Sequence, residues 1–230
     1  MTLHYHGTPI TPENIIIGLA GCHFCVSHVR PDDVIRAHKH GQSVMLDNGA
    51  FSVWRSGKKI NWPKFYDWCD EWLHCPTTWA VPPDVIDAGT QEQDALLREW
   101  PHGKNQSAPV WHMDEPVGRL LQLVDSGWSR VCIGSTAEYS RVMSKDWQER
   151  MDECWNALLK MFGRAPKIHM LRGMQCSGHR WPFYSLDSTD IGQNHRRPTN
   201  GAAYMAARWD GMQCALRWNP TNNSQKEIAL

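Results

Sequence analysis

The sequence predicts an α/β fold built on a parallel sheet, and three observations carry this. Short apolar runs rich in β-branched or aromatic residues recur along the chain, each bounded by Gly, Pro or Asp. Amphipathic stretches of helical period lie between them. The two alternate, as strands joined by crossover helices do. Seven runs qualify as strands: "FCVSH" (24–28), "SVMLDN" (43–48), "TTWAVPPDV" (77–85), "APVWHM" (108–113), "RVCIGS" (130–135), "KIHMLR" (167–172) and "FYSLDS" (183–188). One further, unrecognised strand would complete an eight-stranded (β/α) barrel. An open doubly wound sheet is the alternative, and periodicity does not decide sheet closure.

The helices follow from local signals. "PDDVIRAHKHG" opens with Pro and acids, as a helix N-terminus prefers, and ends in Gly. "NWPKFYDWCDEWLHC" sets Trp62, Phe65, Trp68, Trp72 and Leu73 at helical spacing behind Asn61, a candidate cap. "GRLLQLVDSG" and "SKDWQERMDECWNALLKMFG" repeat the pattern, and a last helix is expected over 202–217.

Composition narrows the function. The 230 residues suit a single domain spanning 1–230, with no low-complexity segment or long linker. Basic and acidic side chains balance at 24 each, which argues against a strong overall pull on nucleic acid but permits a local basic patch. No run of about 18 apolar residues occurs. The opening "MTLHYHGTPITPEN" lacks the charged and apolar regions of a signal peptide. A soluble, cytoplasmic protein with no membrane partner is expected. Eight irregularly spaced cysteines fit reduced, partly buried thiols better than a disulfide framework. Cys22 and Cys25 form one C-x-x-C beside His23 and His28, but no second cysteine pair completes a zinc site, so no metal is expected. The 13 tryptophans read mostly as core, with a few free to line a mouth.

In either architecture ligands bind beyond the C-terminal strand ends. Polar residues converge there: Asp47, Asn48, Gly49 and Phe51; Asp84 and Asp87; His112, Asp114 and Glu115; Gly134, Ser135 and Thr136; His169 and Arg172; Asp187 and Asp190. An isolated Asp is more often a turn or cap residue. Two acids on different strands, Asp47 and Asp187, suit displacement at an anomeric carbon, where one attacks and the other handles protons.

Four segments resemble, in order, motifs of the tRNA-guanine (queuine) transglycosylases. "LDNGAFS" resembles D-S-G-G-F-Q, "RVCIGS" resembles G-G-L-x-V-G-E, "HMLRGMQ" resembles L-M-G-V-G, and "YSLDSTD" resembles the strand bearing the nucleophilic aspartate. The resemblance spans roughly 45–200. It implies a (β/α)8 TIM-type barrel. It also implies that Asp47 contacts the base as general base, that Phe51 stacks on it, and that Asp84 reads the guanine edge. By the same carry-over His112 and Gly134 contact the base, and Asp187 is the nucleophile. Gly49 and Ser135 are expected among the base-binding residues too, and Gly49 and Gly134 would let the backbone approach a planar ligand. Those enzymes carry a Cys-rich zinc insertion after the nucleophile strand. Here only Cys214 follows Asp187. The compact, zinc-free pattern resembles the DNA-guanine transglycosylases, which implies DNA rather than tRNA as partner and a 7-deazaguanine-type base as second substrate. No cofactor is implied. Arg172, Arg196 and Arg197 are then expected on nucleic-acid phosphates, and a homo-oligomer is compatible with the pattern. The runner-up readings are a nucleoside hydrolase or DNA glycosylase on the same barrel and a non-catalytic nucleobase-binding module.

Overall fold

The computed structural model describes residues 1–197 and 201–220. Eight strands are present: β1 Leu3–Gly7, β2 His23–Ser27, β3 Ser43–Asp47, β4 Thr78–Ala80, β5 Val110–His112, β6 Val131–Gly134, β7 Ile168–Met170 and β8 Ser185–Ser188. The helices are α1 Glu13–Ile17, α2 Asp33–His40, α3 Ala50–Arg55, α4 Trp62–Trp72, α5 Thr90–Glu99, α6 Val117–Asp125, α7 Lys145–Phe162, α8 Asp190–Asn194 and α9 Ala202–Asp210. No helix among the described residues is long and apolar enough to cross a membrane.

All paired strands are parallel, in the order β4-β3-β2-β1-β8-β7-β6-β5. The sheet curls until its ends meet. That seam is narrow: one parallel bridge joins Ala80 to Ser107, and Ala108 N donates to Ala80 O at 2.9 Å. The strand absent from the sequence reading is β1, "LHYHG". Its outward residues are His4 and His6, so the run looks polar although both histidines are buried. The "TTWAVPPDV" run is strand only over Thr78–Ala80, because Pro82 and Pro83 have no N–H for a ladder. The last helix ends at Asp210 rather than 217. The Asn61 cap acts as read, with Asn61 Oδ1 accepting from Lys64 N at 3.1 Å, and Ser144 Oγ caps α7 in the same way, accepting from Trp147 N at 3.4 Å.

Side chains alternate between the faces of each strand, so every strand contributes to two cores. The barrel interior holds Tyr5, Cys25, Met45, Trp79, Val110 and Cys132. Polar contacts thread it: Trp79 Nε1 donates to Tyr5 Oη at 2.9 Å, and Ser43 Oγ donates to the same oxygen at 2.9 Å. Outside, one apolar cluster joins Trp111, Ile133, Ile168 and Leu186 to Trp147 and Trp155 of α7. A second joins Phe24, Val44 and Leu46 to Phe65 and Trp68 of α4 and to Met205 of α9. These buried faces hold the strands in register, and the register places the inward strand ends around one mouth.

Candidate active site

The C-terminal mouth opens on a cavity of about 810 Å³. Phe51, Asp84, His112, Gly134, Ser135 and Arg172 all line it. Asp47 and Asp187 stand at the ends of β3 and β8, on the inward face with their register partners Ser27 and Tyr5. Asp47, Gly49, Asp187, Arg196 and Arg197 are not among the residues that line the cavity; the two acids lie behind Arg172, which does, and whose charge interacts with both.

The β4 and β5 side of the cavity is a network of fixed polar groups. Asp84 accepts on both oxygens, from Asn48 Nδ2 at 2.6 Å and from His112 Nε2 at 3.0 Å. Asn48 Nδ2 also donates to Pro82 O at 2.7 Å, and Asn48 Oδ1 accepts from Ala50 N at 2.8 Å. The Gln93 amide is oriented by Val85: its Oε1 accepts from Val85 N and its Nε2 donates to Val85 O. Gln93 Nε2 therefore meets His112 Nδ1, at 3.3 Å, as a donor. This selects the neutral tautomer with its proton on Nε2. Burial also disfavours the charged ring, while the bond to Asp84 and the charges of Asp84, Glu115 and Asp114 outweigh burial and raise the His112 pKa. Protonation would set an Nδ1–H against the Gln93 donor. Each Asp84 oxygen keeps one lone-pair direction for a ligand N–H.

The β8 side is built differently. Asp187 Oδ1 accepts from Arg172 N at 2.7 Å and from His169 Nε2 at 3.2 Å. His169 is fully buried, and burial lowers its pKa against the pull of Asp187. Its neutral ring donates from Nε2, and Nδ1 accepts from Ser185 Oγ at 2.8 Å. Asp187 Oδ2 takes no hydrogen bond among the described residues. It is the oxygen left for a ligand.

Asp47 has fewer partners. Gly49 N donates to its Oδ2 at 3.1 Å. Burial pushes its carboxyl up to about 6, helped by the charges of Asp187 and Asp84 and opposed by the Ser27 hydroxyl and the Gly49 amide. A carboxyl that titrates there can both donate and accept a proton near neutrality.

Several expected roles change with the geometry. Gly49 adopts φ +78°, and a Cβ there would lie 2.8 Å from Val29 Cγ2 and 3.1 Å from Ser27 Oγ. It is needed for the turn into α3 and for the amide it presents to Asp47, rather than as a gap for a base. At Gly134, which lines the cavity, a Cβ would lie 3.1 Å from His112 Cδ2, so this glycine lets the His112 ring lie close against β6. Ser135 lines the cavity, but its hydroxyl accepts from Trp147 Nε1 at 2.9 Å and faces Met113 Sδ at 3.8 Å. Arg172, expected on phosphates, lies inside the site: its guanidinium covers the Phe51 ring at 3.5 Å from the centroid. Its backbone has φ +50°, a conformation that costs a non-glycine residue about 1 kcal/mol or more. Arg196 is held away by the β1–α1 loop, donating from Nη2 to Thr11 O at 3.1 Å. Residues 198–200 of the "DIGQNHRRPTNG" motif lie outside the described residues.

His169 and Asn48 were named from the sequence at the strand ends but given no role, and Gln93 and Trp54 were not named at all. His169 was visible by alternation, since Lys167, His169 and Leu171 share a face. Asn48 was visible as a neighbour of Asp47 but without a partner to assign. Gln93 carries no signal in its own helix. Trp54, the one tryptophan among the described residues that line the cavity, donates from Nε1 to Asp87 Oδ2.

No protein-family model matches the chain, and no curated protein matches it. Among solved structures it is similar to tryptophan synthase from M. tuberculosis in an open form with BRD0059 bound, at 12% identity over 93% of this chain and 94% of that one, with a TM-score of 0.50. A second structure of Mycobacterium tuberculosis tryptophan synthase, in space group F222, gives 12% identity over 90% of each chain and a TM-score of 0.47. At that identity the first likeness shows the fold: an α/β, TIM-like barrel.

Proposed function

We propose that this protein is a base-exchange glycosyltransferase that replaces guanine in DNA with a 7-deazaguanine-type base. The observation that supports it most is the contrast between two inward acids at one mouth: Asp187 with one oxygen fixed and one free, and Asp47 with a carboxyl near 6. The cavity lies within the range of about 300–1,000 Å³ that small-molecule sites occupy, enough for a flipped nucleoside. Asp84 offers a pair of acceptor directions to the N1–H and 2-amino edge of guanine. Arg172 leaves the Phe51 ring as the base arrives and turns toward the strand's phosphates.

The steps follow from these groups. Asp187 Oδ2 attacks C1′; the C1′–O bond forms as the C1′–N9 bond breaks. Asp47 passes its proton to N9 of the departing guanine. The incoming base gives its N9 proton back to Asp47, and its N9 displaces Asp187 from C1′. Two inversions retain the sugar configuration. DNA rather than tRNA is the acceptor that the resemblance of the sequence motifs implies.

The test is incubation of the protein with DNA and with tRNA, each with a labelled 7-deazaguanine panel, followed by nucleoside mass spectrometry. Labelled deoxynucleoside in DNA is the expected product. An abasic sugar would make water the acceptor and the protein a glycosylase. No product from either nucleic acid would leave only base binding.

A further inference from the structure

A second cluster of chemistry-bearing side chains lies outside the barrel, away from the mouth. His6 projects outward from β1, Cys22 lies just before β2, and Asp210 ends α9. One ligand atom from each (a ring nitrogen, Sγ and a carboxylate oxygen) lies within 4.8 Å of the other two. The three come from sequence positions far apart, so the fold brings them together.

The burial pattern is the independent sign. His6 is 1% exposed, and neither Nδ1 nor Nε2 has a hydrogen-bond partner among the described residues. A buried imidazole normally satisfies at least one nitrogen, and each exception calls for an explanation such as an ion. His4 supports the same spot. Its Nε2 contacts Ser177 Oγ at 2.7 Å and its Nδ1 lies 3.3 Å from Asp210 Oδ1. That nitrogen forms no hydrogen bond among the described residues, so a second buried imidazole nitrogen stands unpartnered beside the same carboxylate.

We propose that His6, Cys22 and Asp210 bind one zinc-type divalent cation that clamps α9 to the β1–β2 wall. A nitrogen, a thiolate sulfur and a carboxylate oxygen are the donor set of a borderline-soft ion such as Zn²⁺, rather than of Mg²⁺ or Ca²⁺. Water completes a four-coordinate shell on the exposed side, where Asp210 reaches solvent. On binding, the Cys22 Sγ–H bond gives its proton to solvent as the Sγ–metal bond forms, with no change of oxidation state. Cys25, the other half of the C-x-x-C, points into the barrel core and takes no part. A search for a second cysteine pair in the sequence therefore misses the site, because its other ligands are a histidine and an aspartate.

The experiment is a Co²⁺ titration of the full chain after chelator treatment, followed by displacement with Zn²⁺. The expected result is a thiolate-to-cobalt charge-transfer band that saturates at about one equivalent and is lost when Zn²⁺ is added. Cys22→Ser should abolish the band, and Cys75→Ser should keep it. Asp210→Asn, at an exposed position, should weaken Co²⁺ binding at least about tenfold. Zn²⁺ should raise the melting temperature of the wild type more than that of Asp210→Asn. No saturating band in the wild type, a band that survives Cys22→Ser, or an unchanged affinity in Asp210→Asn would each overturn the proposal.

Discussion

Asp47 and Asp187 are the same residue type on the same inward face of the sheet, yet the ends of β3 and β8 treat them in opposite ways. Asp187 is gripped from one side by a backbone amide and a buried neutral imidazole, which fix one oxygen and aim the other. Asp47 is packed more than it is bonded, so burial dominates and its carboxyl holds a proton up to about pH 6. The comparison teaches that the wall behind a carboxylate sets its chemistry: an oxygen positioned by two donors suits a nucleophile, and a carboxyl that holds its proton toward neutrality suits a proton carrier.

The sharpest break of that contrast is Asp187→Asn. The amide can still accept from Arg172 and His169, so the fold should persist, while exchange should fall by about 10⁴-fold or more as the nucleophile is lost. Nucleoside mass spectrometry beside a thermal melt reads both. Asp47→Asn should cost less, about 10²–10³-fold, because it removes proton transfer and leaves the nucleophile. In the wild type the rate of guanine release should fall as pH rises through about 6, where Asp47 loses the proton it donates, and this limb should vanish in Asp47→Asn.

Stability sharpens the same point. The folded carboxyl titrates near 6 against 3.8 for an ordinary aspartate, so between those values the folded state binds more protons than the unfolded chain. Stability from this group therefore falls as pH rises from about 4 to 6, and the penalty is complete above that window. It amounts to at most about 3 kcal/mol. Asp47→Asn should flatten this part of the pH profile in chemical denaturation and gain stability at pH 8; an unchanged profile would remove burial as the cause. The smallest effect is on the β8 side. His169→Leu deletes a buried donor to a carboxylate and should cost about 2 kcal/mol, measured the same way.

Much of the architecture was legible in the sequence because each strand's buried faces leave a local mark. "SVMLDN" and "RVCIGS" are apolar and β-branched whatever surrounds them. β1 was not legible, since His4 and His6 look like surface residues until the fold buries them. The acids were legible as candidates because a strand-end position has a meaning in this fold class. Their environments were not: Asp47 differs from Asp187 through His169, Arg172 N, Ser27 and Gly49, which are set by register across strands. Arg172 shows the same limit. Its charge suggested phosphate, but its place against Phe51 and both acids follows from a left-handed backbone turn.

The central claim is that Asp187 Oδ2 forms a bond to the sugar. Its most direct measurement is intact-protein and peptide mass spectrometry after incubating the wild type with guanine-containing DNA and no incoming base. The expected result is a DNA adduct on the peptide that carries Asp187, absent from Asp187→Asn and released when a 7-deazaguanine is added. Base exchange with no adduct on that peptide, or an adduct that persists in Asp187→Asn, would contradict it.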